Sequence, residues 1–411
     1  MSDLRVGYYG DDFTGSVDVL LQFARHGRSG RLFVGVPPDA DLRAAAATHD
    51  IVGIAGIARS LATDAMDAEV RPALEALHAL HPHVVQYKAC STADSSPRIG
   101  SIGRVIEIGR AVVSDRTVPM LFAQPDFGRY TVFGTHFAAE GGTVHRLDRQ
   151  PTMSSHPSTP MREADLALHF AAQTELPIGR ITRAQYARLP ELLSAAREAA
   201  VVLDALDDAD VEAVGRAVLA QRSPLFAIGS GGLSWGIGVA SPGDGPTVPA
   251  SAPSEGPVLA VSGSRSAQTA RQVAHAARAG WLVQPLSFDR ADAQRTDVRA
   301  ALAAGRSVAL TSEDAPSGPD TLARIAAAAA ELIRASIEST RRVIVAGGDT
   351  SGRVTRLLGV TSLELAANPV GNVVLLRASS QTPGVDGLQM LLKGGQVGAD
   401  SLFEDIRLLG A

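Results

Sequence analysis

Two neighbouring carboxylates, Asp11 and Asp12, follow a short apolar run near the beginning of this 411-residue chain. Adjacent side chains leave the backbone in different directions, so the two acids are not expected to share one proton. We expect one acid to cap the helix that follows and the other to face a ligand. The ligand-facing acid, for which we favour Asp12, could orient or deprotonate a substrate hydroxyl. The alternative is that both acids only cap the helix.

A second polar cluster, KACSTADSSPRIG, begins at Lys88 and follows the fourth predicted strand. Its hydroxyl groups and cations suit a polyhydroxylated carboxylate as ligand. Arg98 and Lys88 could bind the carboxylate, and Ser91, Asp94 and Ser95 could bind the hydroxyls. The alternative is a serine-rich loop that only caps the next helix.

Three glycine-rich turns in the second half of the chain predict a phosphate site. The run RVIVAGGDTSGRVTRLL reads as a strand, a glycine turn and a helix, and the first turn of such a helix attracts anions. We expect Asp349, Thr350 and Ser351 to cap this helix. SGSRS follows another predicted strand, and LKGGQVG could close over a nucleotide. The candidate residues are Ser262, Gly263, Ser264, Gly347, Gly348, Asp349, Thr350, Gly395 and Gly398. Ordinary strand-to-helix turns are the alternative.

Two well-known nucleotide motifs are missing from the sequence. There is no GxxxxGK[ST] P-loop and no GxGxxG after the first strand, so a dinucleotide fingerprint is absent. The chain contains only two lysines, Lys88 and Lys393, and both lie in the motifs described above. A compact ammonium differs chemically from a guanidinium, and we expect at least one of the two to be functional. Lys393 or Arg265 could help to neutralise a transferring phosphate.

Alternating strand and helix patterns indicate which elements hold these motifs. They predict an α/β fold of two Rossmann-like domains with mostly parallel sheets and an interdomain cleft. In such sheets ligands bind at the carboxyl ends of the strands, where all the motifs lie. A segment rich in Pro, Gly and Ser marks the boundary. We therefore predict an N-terminal domain at 1–240, a linker at 241–257 and a C-terminal domain at 258–411.

Composition narrows the functional classes. A net charge of −5 gives no support to nucleic-acid binding, and no apolar run reaches membrane-spanning length. The beginning of the chain lacks a signal pattern, and Cys90 is the single cysteine, so we expect a cytoplasmic protein without disulfides. Residues 130–161 lack periodicity and predict a functional or poorly ordered loop. The histidines of that segment lack metal-ligand spacing, so no protein metal site is expected.

The motifs together resemble the four-carbon acid sugar kinase family. GDDFTGSVD resembles the opening motif of that family, and SGSRS, GGDTS and LKGGQVG follow in the same order over nearly the whole chain. The resemblance implies ATP-dependent phosphorylation of sugar acids such as threonate, erythronate or 3-oxo-tetronate, with Mg²⁺ as a companion of ATP. It implies a sugar-acid site with Asp11, Asp12, Lys88 and Arg98, and an ATP site with Ser264, Gly347, Gly348, Asp349, Thr350 and Gly395. A homodimer is a further expectation.

One segment departs from the family pattern. Typical members carry KxDSTLRGN after the fourth strand, whereas this chain has KACSTADSSPRIG, and only Lys88 aligns without an insertion. This form resembles a branch associated with RuBisCO-like proteins, whose kinases act on 3-oxo-isoapionate. By that resemblance, a segment with Arg146, Asp148, Arg149 and His156 would lie over the substrate. Two other functions stay open at this point: a sugar-acid dehydrogenase or isomerase, and a non-catalytic sugar-acid sensor.

Overall fold

The chain divides into two compact units, Met1–Thr247 (unit 1) and Val248–Ala411 (unit 2). The computed structural model describes residues 5–246, 248–252, 254, 256–312 and 320–409. No helix among these residues is long and apolar enough to cross a membrane. Both units combine α-helices with a mostly parallel sheet, so the predicted α/β fold class is confirmed.

Unit 1 contains the first eleven strands and nine helices described for the chain. The strands are β1 Val6–Gly10, β2 Gly30–Val34, β3 Ile51–Ala55, β4 Val84–Lys88, β5 Val118–Leu121, β6 Arg129–Val132, β7 Thr135–Glu140, β8 Thr143–Arg146, β9 Ile178–Ile181, β10 Ala200–Leu203 and β11 Leu225–Gly229. The helices are α1 Phe13–Ala24, α2 Asp39–Thr48, α3 Met66–His78, α4 Ile102–Val112, α5 Pro151–Ser154, α6 Leu166–Ala171, α7 Leu189–Ala195, α8 Asp208–Leu219 and α9 Gly231–Ala240.

The main sheet of unit 1 has the strand order β2-β3-β1-β4-β11-β5-β10-β9, and all its pairings are parallel. Strands β1, β3 and β4 are buried along their whole length, as their nearly continuous apolar sequences require. Gly10 at the end of β1 is in register with Ala55 of β3 and Lys88 of β4. The carboxyl ends of these three strands therefore lie side by side.

Residues 130–161 are more regular than the sequence predicts. Strands β6, β7 and β8 form an antiparallel three-stranded sheet, and the short helix α5 follows it. Gly134 and Gly141 have positive φ at the two hairpin turns, a conformation that glycine adopts at little cost. The expectation of an aperiodic loop was wrong because these strands are only four to six residues long, which is too short for a clear alternation.

Unit 2 contains the remaining elements. They are β12 Val258–Ser262, β13 Leu282–Pro285, β14 Val308–Thr311, β15 Arg342–Ala346, β16 Val360–Val370, β17 Val373–Ser380 and β18 Gln389–Lys393, with helices α10 Ala267–Arg278, α11 Ala291–Ala303, α12 Thr321–Ser336, α13 Gly348–Leu357 and α14 Leu402–Leu408. The strand order is β13-β14-β12-β15-β18-β17-β16. The pairs from β13 to β18 are parallel, whereas β17 is antiparallel to both β18 and β16.

The segment predicted as a linker, 241–257, is bonded to the units on either side of it. Gly243 and Gly245 donate to the carbonyls of His26 and Gly27 in unit 1. In unit 2, the carbonyl of Pro249 accepts a hydrogen bond from Asn368, and Ala252 is 2% exposed within the core. Thr247, Pro253 and Glu255 of this predicted linker lie outside the described residues.

Candidate active site

The acidic pair and Lys88 meet at the carboxyl ends of adjacent strands in unit 1. The backbone N–H of Asp11 donates to the carbonyl of Lys88 at 3.0 Å, which continues the β1–β4 ladder past its last pair. The Lys88 ammonium is nearly buried and donates to the carbonyl of Ala89 at 2.9 Å. A Cβ added at Gly15 would lie 3.2 Å from that ammonium, so Lys88 sits against the first turn of α1.

Asp12 both caps α1 and remains accessible. Its carboxylate accepts hydrogen bonds from the N–H of Gly15 and the hydroxyl of Thr14, each at 2.9 Å. The side chain of Asp12 is 27% exposed, whereas that of Asp11 is 3% exposed. We expected one acid to cap the helix and the other to face a ligand, and this division was wrong. Asp12 both caps α1 and is accessible, whereas Asp11 is buried.

Arg59 joins the two acids, and the sequence did not single it out. Its Nη2 lies 2.6 Å from Asp11 Oδ1 and 2.9 Å from Asp12 Oδ1, and its Nε lies 3.3 Å from Asp11 Oδ2. Arg59 lies in the turn Ala58–Ser60, shortly after β3. The sequence did contain a signal for Arg59, because this residue follows the third predicted strand. Strands on both sides of β1 end at the same edge of the sheet, where ligands bind.

Burial and charge separate the two carboxylates. Burial raises the pKa of Asp11 to about 6, although Arg59 opposes this shift. Burial also acts to raise the pKa of Asp12, but Arg59 and Lys88 together hold it below its ordinary value. Burial acts to lower the pKa of Arg59, yet the two acids raise it well above its ordinary value. Asp12 is therefore an ionised acceptor, flanked by two cations, at neutral pH.

The segment after Lys88 contains both occupied and open side chains. Ser95 is 3% exposed and bonded to His169, Gln173 and the carbonyl of Ala93. Asp94 accepts a 2.5 Å hydrogen bond from Thr92, and Ser91 accepts one from His136 through its carbonyl. Arg98 is exposed. Arg98 therefore has more freedom to meet a ligand than Ser95 has.

Arg149 lies on the turn Leu147–Arg149, which follows β8, and its side chain is exposed. Nearby, Arg146 and Asp148 form a salt bridge, and the ring of His156 accepts from the N–H of Thr159. Within the described residues, no hydrogen bond or ion pair joins Arg149 to Asp12 or Lys88. The role of Arg149 at the substrate therefore stays a prediction from the sequence.

The three glycine-rich turns of unit 2 converge at one sheet edge. Strands β12, β15 and β18 end in register, with Ala346 opposite both Ser262 and Lys393. The N–H of Gly263 donates to Ala346, and the N–H of Gly347 donates to Lys393, each at 2.8 Å. The ladder thus extends one residue into each turn, so the turns are fixed relative to one another.

Glycine is required where the first two turns touch. A Cβ at Gly263 would lie 2.1 Å from the hydroxyl oxygen of Thr350, which is buried on α13. Gly347 has φ 119° and would place a Cβ 3.1 Å from the same oxygen. Gly347 is the N-cap of α13 and forms no side-chain cap bond. Asp349, Thr350 and Ser351 lie inside the helix, so the expectation that they cap it was wrong. The first-turn N–H groups are left for a ligand.

Hydroxyl groups tie the third turn to the first. Ser266 and Thr269 donate to the carbonyl of Gly395 at 2.6 and 2.9 Å. A Cβ at Gly395 would lie 2.6 Å from the hydroxyl oxygen of Ser264, so the glycine allows a close approach. Gly398, in contrast, has φ 86° and packs against Leu402, and its carbonyl accepts from Gln268. These contacts indicate that Gly398 supports the end of the third turn structurally.

Lys393 lies beneath these turns. Its side chain is 1% exposed, and its ammonium donates to the hydroxyl of Thr269 at 3.0 Å. Burial lowers the pKa of Lys393 to about 8. In this buried position the ammonium contacts the hydroxyl of Thr269, so any charge it supplies to a phosphate acts through the turns, and the predicted role in neutralising a phosphate stays a prediction.

A Mg²⁺ ion that accompanies ATP needs oxygen ligands, which protein carboxylates can supply in part. Among the described residues, no group of three or more His, Cys, Asp or Glu side chains could hold a metal ion. Asp349 is the one acid on the predicted turn residues, and it is exposed in the first turn of α13. One carboxylate fits Mg²⁺ that is bound mainly through nucleotide phosphates and water.

Two family models match the chain in succession. A sugar-binding N-terminal domain covers residues 6–237, and a nucleotide-binding C-terminal domain covers residues 259–403. A 3-oxo-isoapionate kinase from Paraburkholderia graminis is 37% identical, with 98% of this chain and 94% of the relative covered. A 3-oxo-tetronate kinase from Methylobacterium radiotolerans is 30% identical, with 97% and 98% covered.

A crystal structure of a Salmonella typhimurium LT2 protein shares the fold, with a TM-score of 0.80, 24% identity and 98% of each chain covered. The chain belongs to the four-carbon acid sugar kinase family. It is thus an ATP-dependent sugar-acid kinase, and the comparisons do not favour the dehydrogenase or sensor alternatives.

Proposed function

We propose that this protein transfers the γ-phosphate of ATP to a hydroxyl of 3-oxo-isoapionate, or of a four-carbon acid such as 3-oxo-tetronate, threonate or erythronate. The relative that acts on 3-oxo-isoapionate is 37% identical, and the one that acts on 3-oxo-tetronate is 30% identical. The observation that carries the proposal is the Asp12 cluster, in which one accessible carboxylate lies between Arg59 and Lys88. Such a cluster offers both a hydroxyl acceptor and cations for a sugar acid.

In this proposal the sugar acid is bound by residues of unit 1. Asp12 accepts the hydrogen of the attacking hydroxyl and orients its oxygen, since its own pKa is low and it is the exposed acid. Asp11 acts through Arg59, which it holds in place from the buried side. Arg98 is exposed and is our choice for the substrate carboxylate, with Ser91 and Asp94 near the hydroxyls.

ATP is bound in this proposal by the three turns of unit 2. The open first turn of α13 accepts phosphate oxygens, and the residues around it are Ser262, Gly263, Ser264, Gly347, Gly348, Asp349, Thr350 and Gly395. Mg²⁺, when bound with ATP, supplies charge neutralisation for the transferring phosphoryl group. The interdomain cleft, the domain boundaries, the cytoplasmic location and the homodimer stay predictions from the sequence.

A coupled ADP-release assay with a panel of four- and five-carbon sugar acids tests the proposal. We expect acid-dependent ADP release with 3-oxo-isoapionate or one of the four-carbon acids. ATP binding without ADP release for any acid of the panel would refute the proposed substrate class.

Asp12→Asn tests the role of Asp12. Asparagine caps a helix about as well as aspartate, so the fold is retained, and we expect turnover to fall about a hundredfold or more. Asp207→Asn is the matched control, because Asp207 caps α8 in the same way. Near-normal turnover of Asp12→Asn would remove the assignment of Asp12.

A further inference from the structure

Residues 89–100, which we call the acceptor loop, begin and end at the Asp12 cluster. The N–H of Ala89 donates to Gly229 beside Lys88, and the N–H of Gly100 donates to Leu61, each at 2.9 Å. Gly100 has φ 59°, and a Cβ there would lie 2.6 Å from the carbonyl oxygen of Arg59. Both ends of the loop are thus fixed beside the cations, while the middle contains Ser91, Asp94 and Ser95.

The middle of the acceptor loop has hydrogen bonds of its own, from Thr92 to Asp94 and from Ser95 to the carbonyl of Ala93, but its backbone is strained. Ala93 is fully buried with φ 54°, a left-handed conformation that non-glycine residues rarely adopt. Such a conformation persists when the surrounding structure holds it. Besides the hydrogen bonds within the loop, contacts from the three-stranded sheet and from α6 hold this conformation.

His136 on β7 holds the backbone of the loop. Its ring is fully buried, with Nε2 2.8 Å from the carbonyl oxygen of Ser91 and Nδ1 2.9 Å from the hydroxyl of Thr131. A carbonyl can only accept, so Nε2 carries the proton and donates, and Nδ1 accepts from Thr131. Burial, with a smaller contribution from the nearby charge of Arg129, lowers the pKa of His136 to about 4, so the ring is neutral.

His169 on α6 holds the side chain of Ser95. Its Nε2 lies 3.0 Å from the Ser95 hydroxyl and 3.1 Å from Nε2 of Gln173. The Gln173 amide can only donate through that nitrogen, so Nε2 of His169 accepts and the ring is neutral. The Ser95 hydroxyl then shares its one hydrogen between Nε2 of His169 and the carbonyl of Ala93. Gln173 also accepts from the N–H of Ile102 at 2.8 Å, which fixes the loop to the start of α4. The charged groups facing His169 are Glu163 and Asp94.

We propose that His136 and His169 are positioning residues for the sugar acid, acting through the acceptor loop. By holding Ser91 and Ser95, which flank Asp94, they set the positions of the loop's hydroxyl groups and of Asp94 relative to Asp12. This inference rests on the proposed function, because it takes the loop to be part of the acceptor site. The shape of the loop, and with it the choice of sugar acid, would then depend on contacts from segments far away in the sequence.

Kinetics of paired variants test this. His136→Leu removes the donor to Ser91 at similar volume, and His136→Gln keeps a donor. We expect the KM for the sugar acid to rise about tenfold in His136→Leu, the range for one lost buried hydrogen bond, with the KM for ATP unchanged and with recovery in His136→Gln. His169→Leu and His169→Gln should behave likewise. His145→Leu, on the neighbouring strand β8, is the control.

Hydrogen exchange of the loop peptide separates this inference from the proposed function. In the leucine variants we expect faster amide exchange over residues 89–100 but not over the turns of unit 2. A wild-type protein that releases no ADP with any acid would refute the proposed function. Active leucine variants with an unchanged KM for the acid, or with unchanged exchange of the loop, would overturn the positioning role.

Discussion

The two candidate sites of this kinase consist of different kinds of chemical group. In unit 1 the site is made of charged side chains: Asp11, Asp12, Arg59 and Lys88. In unit 2 it is made of backbone and hydroxyl groups around glycines, with one ammonium buried beneath them. A sugar acid must be recognised by the positions of a few polar groups, whereas phosphates can be held by N–H groups at a helix start.

This difference predicts different responses to substitution. A charged cluster fails when one member is removed, because the remaining charges lose their partner. A glycine turn fails when a side chain is added, because the backbone can no longer approach. The following variants break or sharpen the comparison.

The largest effect is expected for Arg59→Met. The substitution leaves two carboxylates facing each other, one of them buried, so we expect the free energy of unfolding to fall by about 3 kcal/mol. Turnover should fall at least a hundredfold. Denaturant unfolding and the ADP-release assay measure the two effects.

The double variant Arg59→Met, Asp11→Asn refines this result. Asparagine removes the unpaired buried charge, so stability should partly recover while turnover does not. A single Arg59→Met variant with wild-type stability would show that Arg59 does not hold the acidic pair together.

A smaller effect is expected in unit 2 for Gly263→Ala. Its Cβ would lie 2.1 Å from the Thr350 oxygen, so the turn must move away from α13, and we expect the KM for ATP to rise about tenfold. The KM for the sugar acid should stay unchanged. Gly371→Ala is the control for an added methyl group without a close neighbour, because nothing lies within 4 Å of its Cβ; its positive φ, which Gly263 does not have, adds only local backbone strain. Equal effects of both variants would refute a specific role for the close contact.

The smallest effect on activity is expected for Lys393→Met. This substitution should raise the free energy of unfolding, whereas Arg59→Met should lower it. Burial lowers the pKa of Lys393 from 10.5 to about 8, so the buried ammonium costs stability at pH 7, and this cost falls as the pH rises from about 8 towards 10.5. We expect Lys393→Met to gain about 2 kcal/mol at pH 7.

The same variant should bind ATP a few times more weakly at pH 7, because the positive charge beneath the turns is lost. In the wild type, the KM for ATP should rise between pH 7 and 9 as the ammonium deprotonates, and this rise should be absent from Lys393→Met. A variant that is less stable at pH 7 and retains the alkaline rise would show that the lysine is only structural.

Much of the organisation could be read from the sequence because it depends on local signals. The buried runs of β1, β4, β12 and β15, and the polar or glycine-rich turns after them, are local, and they predicted both sheets and the edges where ligands bind. The hairpin of β16 and β17 was missed, although its two apolar runs flank a turn at Gly371. Its antiparallel pairing is a departure from the alternation of strand and helix on which the prediction relied.

The sequence by itself determined the class of the protein, since GDDFTG, SGSRS, GGDTS and LKGGQVG each have a local physical role and occur in the order of the family. Only the tertiary structure decided which side chains share a site. Arg59 reaches Asp11 across 48 residues, and His136 reaches Ser91 across 45. Burial likewise separated Asp11 from Asp12 and placed Lys393 beneath its turns. Pairing and burial depend on how strands are ordered in a sheet, and no local pattern of residue types contains that order.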